Sequence, residues 1–203
     1  AAKLCLITDP DRDNNLERLL RGVEAALMAG VSLVQYRRKQ GNDQQRLVEA
    51  QALKTLCSRF EALFIINDRI DLALLVDADG VHLGQDDLPL SEARKLLGPE
   101  RLLGRSTHRL EHLLAAQQEG ADYLGVGPVF ATATKRDRSP AGLSWVTEAS
   151  RHAVVPWFAI GGIDAETIPS VRAAGAQRVA VVSAIMGSND PEEASRTLLQ
   201  TLT

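Results

Sequence analysis

The 203-residue chain is 45% apolar and 24% charged, enough for one large domain or two small ones with a sizeable core. Its formal net charge of −3 excludes a general basic surface for nucleic acid or anionic lipid, so any cationic site must be local. Cys5 and Cys57 make no disulfide framework, no apolar run approaches the roughly 18–20 residues of a membrane span, and the amino end does not read as a signal peptide, so a reducing, cytoplasmic setting fits.

The chain starts at Ala1 without an initiator Met, which fits processing or excision from a longer protein equally. Lys3 to Thr8 is a short apolar run stopped by Asp9-Pro10. Leu16 to Met28 carries Leu16, Leu19, Leu20, Val23 and Leu27 at helical spacing, with Gly30 as a C-terminal cap. Val31-Ser32-Leu33-Val34 reads as a buried strand. It runs into Gln35, Arg37 and Lys39, which line one face if the extended geometry persists that far. An amide, a guanidinium and an ammonium pointing one way suit a polyanion, a phosphate ester or a diphosphate. Solvated loop charges are the other reading.

Asp43 to Phe60 is helical, with Leu47, Ala50, Leu53 and Leu56 on one face. The alternation then repeats. Strand Leu63–Ile66 precedes helix Asp71–Val76, and strand Gly80–Leu83 precedes helix Leu90–Leu97, capped near Ser91. Strand Leu102–Gly104 precedes helix Leu110–Glu119, and strand Tyr123–Val126 precedes helix Leu143–His152. Strand Trp157–Ile160 precedes helix Ala165–Ala174, which ends at Gly175. Strand Arg178–Val182 precedes helix Pro191–Leu202, with Pro191 suited to its first turn. Strands that are apolar throughout predict a parallel sheet covered on both faces. Eight such units predict a (β/α)8 TIM barrel, an α/β fold built as a single domain over residues 1–203. A doubly wound open sheet is the competing fold.

In a barrel of this kind the working face lies at the carboxyl ends of the strands. The unusual polar residues collect there: Gln35, Arg37 and Lys39; Asn67-Asp68; Gln85-Asp86-Asp87; Ser106-Thr107-His108; Gly127 to Lys135; Gly161-Gly162; and Ser183. Asp68 and Asp87, without nearby His or Cys, suit a hard cation such as Mg²⁺. Capping of the following helices is the alternative, and it is the reading for Asp86. Gly161-Gly162 and Ser183 lie where many barrels bind a phosphate, and tight turns are the alternative. The loop from Pro128 to Pro140 is long enough for a lid or binding loop, with Arg136 and Arg138 read as solvated. The role of His108 stays open. His82, inside a strand, reads as structural, His112 and His152 as helix surface, and Cys5 and Cys57 as small apolar residues.

Taken together, Gln35-x-Arg37-x-Lys39, Asn67-Asp68, His82-Leu-Gly-Gln-Asp-Asp87, Gly104-Arg-Ser106-Thr-His108, Gly127-Pro-Val-Phe-x-Thr132-x-Thr134-Lys135, Ile160-Gly-Gly162-Ile and Val181-Val-Ser183-Ala-Ile resemble the thiamine-phosphate synthase family, from about Leu4 to Leu199. The resemblance implies an enzyme that joins 4-amino-2-methyl-5-hydroxymethylpyrimidine diphosphate to a thiazole phosphate, or its carboxylate, with release of pyrophosphate. It implies that Gln35, Arg37, Lys39, Asn67, Ser106 and Lys135 hold the pyrimidine diphosphate, and that Asp68 and Asp87 hold Mg²⁺. Thr132 and Thr134, with Gly162, Val182 and Ser183, would hold the thiazole phosphate. Arg37, Lys39, Lys135 and Ser106 are the catalytic candidates.

The implied chemistry agrees with the residue types. Negative charge grows on the departing diphosphate and is met by cations. The attacking thiazole nitrogen carries no proton, so no general base is required. Cys5, where an aromatic residue is expected, and Ala131, where Pro is frequent, depart from the pattern. The partners expected are small molecules, with no nucleic acid and no membrane, and a homodimer is left open. A thiazole tautomerase-type isomerase using His108 on the same barrel and a non-catalytic phosphate-ligand sensor are the rival readings.

Overall fold

Each strand of this protein is only three to six residues long, and its side chains alternate between two apolar environments. In β1 (Leu4–Ile7), Leu4 and Leu6 face one core while Cys5 and Ile7 face another. The computed structural model that shows this describes residues 2–9, 14–131 and 140–203. After β1 the elements are α1 (Leu16–Met28), β2 (Leu33–Tyr36), α2 (Asp43–Arg59), β3 (Leu63–Asn67), α3 (Ile70–Leu75), β4 (Gly80–Leu83), α4 (Leu90–Leu97), β5 (Leu102–Thr107) and α5 (Leu110–Gln118). They continue with β6 (Tyr123–Val126), α6 (Gly142–His152), β7 (Trp157–Ile160), α7 (Ile168–Ala173), β8 (Val179–Val181), α8 (Ser183–Met186) and α9 (Pro191–Thr201).

Every strand pairs in parallel with the next, and Leu4, Cys5 and Leu6 of β1 sit opposite Val179, Ala180 and Val181 of β8. That last ladder closes the sheet into a (β/α)8 barrel and excludes the open doubly wound sheet. The larger core lies outside the barrel, where Val34, Phe64, Val81, Leu103, Leu124 and Val179 meet the helices. The smaller core fills the inside with Cys5, Ile7, Leu33, Ile65, Phe158 and Ala180. Both faces of each strand are therefore buried, which is why the strands read as unbroken apolar runs.

Helix endings show a repeat that the strand–helix units conceal. At the end of α1, the Gly30 N–H donates to Leu27 O at 3.0 Å and the Val31 N–H to Ala26 O at 3.1 Å, with Gly30 at φ +105°. This is the paired bonding that satisfies the last carbonyls of a helix. The same pattern ends α2, α3, α5 and α7, where the turning residues are Glu61, Asp77, Gly120 and Gly175. The next residue is buried and small or branched each time: Val31, Ala62, Ala78, Ala121 and Ala176. Asp79 and Asp122 follow two of these turns. Each accepts a backbone N–H from the preceding strand, from Phe64 and Leu103, and pairs with a helix cation, Lys54 and Arg94.

Several boundaries differ from the sequence expectation for physical reasons. Val31 belongs to the turn after α1, so β2 starts at Leu33 and ends at Tyr36. β5 continues beyond Gly104 to Thr107, bringing Ser106 into the sheet. α4 has Pro89 at its N-cap, with no side-chain bond there, so Ser91 lies inside the helix and is no cap. Asp86 likewise is not the N-cap of α4, since it lies in the turn before Pro89. α7 starts at Ile168 rather than Ala165, because Asp164 Oδ1 accepts the N–H groups of Glu166 and Thr167 and holds that stretch as a turn. The short helix α8 was not expected.

Candidate active site

The regular strand geometry of β2 stops at Tyr36, yet side-chain alternation carries past it. The outward residues are gathered by α2. Glu49 accepts the Tyr36 hydroxyl at 2.7 Å and a two-pronged contact from Arg38, at 2.8 Å for both Nε and a terminal nitrogen. The Arg38 and Glu49 side chains are each 3% exposed. Burial, with the Glu49 carboxylate beside it, pushes the Tyr36 phenol above its ordinary value. On the other side, the Arg37 N–H donates to Thr8 Oγ1 at 3.1 Å and the Thr8 N–H to Gln35 O at 2.9 Å, tying the segment to the end of β1. With Tyr36 and Arg38 held outward, Gln35 and Arg37 face the barrel mouth, where both line a cavity.

That cavity opens at the carboxyl ends of the strands. Asn67, His82, Ser106, His108, Gly162, Val182 and Ser183 line it as well. Gln35 Nε2 donates to Asn67 Oδ1 at 3.1 Å, joining two of the expected ligands. His82, which reads from sequence as a strand residue of the scaffold, is inward-facing and buried. Its Nε2 lies 2.9 Å from Ser106 Oγ and its Nδ1 3.2 Å from the Tyr123 hydroxyl. The Tyr123 ring lies across Gly104, where an added Cβ would come within 2.2 Å of it. Tyr123 also meets Phe158 edge-on at 6.1 Å between ring centres, closing the floor of the cavity. Burial pushes the Tyr123 phenol well above its ordinary value, so it stays protonated and available as a donor. His108 Nδ1 is 2.5 Å from Gly127 O, an acceptor, so this nitrogen carries the proton. His112 is half-buried with its ring packed edge-on against His108, so it is not a plain surface residue.

Lys39 reaches the rim rather than the cavity, and its ammonium pairs with the Asp68 carboxylate. Asp68 sits at φ +64°, a conformation that Asp tolerates, with its N–H held by His82 O at 2.8 Å. Neither Asp68 nor Asp87 caps a helix: the N-caps of α3 and α4 are Arg69 and Pro89. Asp87 Oδ2 instead accepts the Gly84 N–H at 2.6 Å. Burial raises the Asp87 carboxyl above its ordinary value. The Gly84 N–H opposes this, the facing Asp68 carboxylate adds to it, and Lys39 also opposes it. Two carboxylates that face each other at such a cost fit a shared cation. Among the described residues no cluster of three or more His, Cys, Asp or Glu lies together. The donor set therefore fits a hard divalent ion that completes its shell with water and ligand oxygens, not a closed protein cage.

After β7 and β8, Gly161 and Gly162 have positive φ angles of +104° and +63°. A Cβ at Gly161 would lie 2.7 Å from Pro128 Cα, and one at Gly162 would lie 2.7 Å from Ala131 O. Both glycines are thus required by the close approach of residues 128–131, whose Val129 and Phe130 N–H groups donate to Ile160 O and Gly161 O at 2.9 Å. α8 begins at Ser183 beside Gly162, in the position of the short extra helix at which many barrels hold a phosphate. Thr132, Thr134 and Lys135, with Arg136 and Arg138, lie outside the described residues.

Fold and site together define a (β/α)8 barrel with a largely apolar cavity at its carboxyl-end face, entered by a few polar side chains, and a paired-carboxylate rim. Residues 4–185 match the family model of thiamine monophosphate synthase, and the chain belongs to that family. It is similar to the thiamine-phosphate synthase of Synechococcus sp. (strain CC9311), at 94% identity over 99% of this chain, and to that of Prochlorococcus marinus (strain MIT 9313), at 59% over 98%. The chain spans about half the length of the curated relatives it matches, 57% and 56% of these two. Thiamine phosphate pyrophosphorylase from Pyrococcus furiosus is similar in structure, with a TM-score of 0.89 and 35% identity, covering 99% of this chain and 95% of that one. A 3-hexulose-6-phosphate synthase, at TM-score 0.71 and 16% identity, shares the fold alone.

Proposed function

We propose that this barrel is a single catalytic unit. It condenses 4-amino-2-methyl-5-hydroxymethylpyrimidine diphosphate with thiazole phosphate, or its carboxylate, to give thiamine phosphate and pyrophosphate. The observation that carries this reading is the convergence of Gln35, Arg37, Asn67 and Ser106 on one cavity whose rim bears Lys39, Asp68 and Asp87. Membership of the family supports it.

Arg37, Lys39 and Lys135 hold the diphosphate and meet the charge that grows on it as the carbon–oxygen bond breaks. Gln35 and Asn67, already bonded to each other, orient the pyrimidine. Ser106, fixed by His82, donates to the diphosphate. The electron-rich aminopyrimidine spreads the positive charge left on its methylene carbon, and the thiazole nitrogen then attacks that carbon. Thr132 and Thr134, with the backbone at Gly162, Val182 and Ser183, hold the thiazole and its phosphate in line, which supplies the orientational part of the rate. Asp68 and Asp87 hold Mg²⁺, and when bound the ion supplies further electrostatic stabilisation of the leaving group. No step calls for a general base. A tautomerase-type isomerase on the same barrel has no use for paired carboxylates beside Lys39.

Cys5 and Cys57 are buried and unpaired with each other, and burial pushes both thiols up to about 12. Such inert thiols fit a reducing cytoplasm. Among the described residues no helix is long and apolar enough to cross a membrane.

The test is product formation from both substrates, with Mg²⁺ and with the metal chelated. Arg37→Ala and Lys135→Ala are expected to lower turnover by about 10²–10³ while the fold is kept. Absence of thiamine phosphate with the wild-type chain, or wild-type rates in both variants, would refute the reading.

A further inference from the structure

Arg105 is a buried cation that the proposed chemistry does not use. Strand alternation in β5 turns Ser106 into the barrel and Arg105 out of it, opposite Leu83 and Leu124 in the neighbouring strands. Its outward neighbour in β5, Leu103, packs there as an ordinary apolar side chain. Arg105 is only 8% exposed. Among the described residues it forms no ion pair. It donates to Leu88 O at 3.1 Å and to Gln85 O at 3.4 Å. Desolvating a guanidinium for two carbonyls is costly where an aliphatic side chain would pack. The two carbonyls must therefore account for it.

They lie on either side of Asp87, two residues before it and one after. The stretch between β4 and α4 has no regular structure of its own. It is closed on itself by the Gly84 N–H on Asp87 Oδ2 at 2.6 Å. It is returned to β5 a second time by Gln85 Nε2, which donates to Ser106 O at 2.6 Å. Arg105 and the Ser106 carbonyl thus staple this turn to one strand.

We propose that Arg105 is a positioning residue: by holding Gln85 O and Leu88 O it fixes where Asp87 faces Asp68, and so sets the affinity of the carboxylate pair for its divalent cation. The proposal rests on the reading of Asp68 and Asp87 as the metal-holding pair. A role in packing alone would weaken the fold without singling out the metal.

The experiment compares Arg105→Met, Arg105→Gln and wild type in two substrate-free measurements: Mn²⁺ titration of the free chain, and amide exchange of residues 84–88. Mg²⁺ activation and the two substrate KM values are measured alongside. Arg105→Met is expected to weaken Mn²⁺ binding about 10-fold or more and to speed exchange at residues 84–88. It should raise the Mg²⁺ requirement and the KM for the pyrimidine diphosphate, and leave the KM for thiazole phosphate unchanged. Arg105→Gln, which keeps one donor, is expected to lie between Arg105→Met and wild type, and it carries the test if Arg105→Met does not fold. Wild-type Mn²⁺ affinity and exchange in a folded variant would overturn the proposal, as would an equal rise in both KM values with Mn²⁺ binding intact. Failure of the wild-type chain to make thiamine phosphate would instead overturn the function, while Mn²⁺ binding and exchange would still decide the role of Arg105.

Discussion

Glu49 is the sharpest place to perturb the molecule. Its carboxylate takes three short hydrogen bonds, from Tyr36 and twice from Arg38, in a pocket where the Arg38 and Glu49 side chains are 3% exposed. Glu49→Ala takes the carboxylate from a buried guanidinium, which keeps the neutral Asn14 Oδ1 at 3.0 Å as an acceptor, and removes the acceptor of the Tyr36 phenol. Breaking a buried ion pair from one side costs about 3–5 kcal/mol. For a chain of this size each kcal/mol moves the melting temperature by roughly 2–4 °C, so a fall of about 6–20 °C is expected. Arg38→Met/Glu49→Leu removes both charges together and should recover much of that loss, because no unpaired charge stays behind. The measurement is thermal and urea unfolding of these two variants and of Arg38→Met and Glu49→Leu alone, with the two Met and Leu singles, their double and wild type read as a double-mutant cycle. A melting temperature within about 2 °C of wild type for Glu49→Ala would refute the reasoning. So would a double variant less stable than Glu49→Ala. Turnover should fall more than stability alone explains, since the same contacts hold Arg37 toward the cavity.

Two further substitutions follow from the site. Asp87→Asn removes the carboxylate whose charge burial already disfavours, and which faces that of Asp68. Without metal it should raise the melting temperature, and with metal it should abolish the added stability that Mg²⁺ gives the wild-type chain; unchanged Mg²⁺-dependent melting would contradict the metal assignment. Gly104→Ala would put a methyl group 2.2 Å from the Tyr123 ring. It should cost about 1–3 kcal/mol from overpacking in urea unfolding and displace Tyr123 from His82, and wild-type stability would show that the ring has room to move.

The barrel was legible because its parts agree at several levels. Unbroken apolar strands, amphipathic helices and caps at Gly30 and Gly175 all point to the same alternation, and α1, β4, β6 and β7 fall on the boundaries read from sequence. The misread boundaries are places where a local hydrogen bond takes the backbone out of the regular pattern. Asp164 holds the approach to α7 as a turn, and Val31 is consumed in closing α1. The recurrent helix ending was half hidden because Glu61 and Asp77 take the left-handed conformation that sequence reading assigns to glycine. Four residues such as those of α8 carry too little periodicity to announce a helix.

The site was legible for a related reason and opaque for another. Spacing of two was enough to turn Gln35 and Arg37 toward one face, even though β2 itself stops at Tyr36. What spacing cannot convey is which long-range partner holds the opposite face. Nothing in the local sequence joins Arg38 to Glu49 across a loop and the start of a helix, and nothing joins Arg105 to a carbonyl 17 residues earlier. His82 shows the same limit. Its alternation with Val81 and Leu83 settles that it faces the other way from them, but whether that way is scaffold or cavity depends on Ser106 and Tyr123, delivered by two other strands. In a barrel the inward face of every strand is both core and site. The depth at which a polar residue enters decides between them, and depth is a property of the closed sheet. Cys5 and Tyr123 lie low and form the floor, Gln35, Asn67 and Ser106 lie higher and line the cavity, and Lys39, Asp68 and Asp87 stand at the rim. Charge thus rises toward solvent, and the apolar side chains lie at the floor below it, so the polar end of the cavity is its mouth.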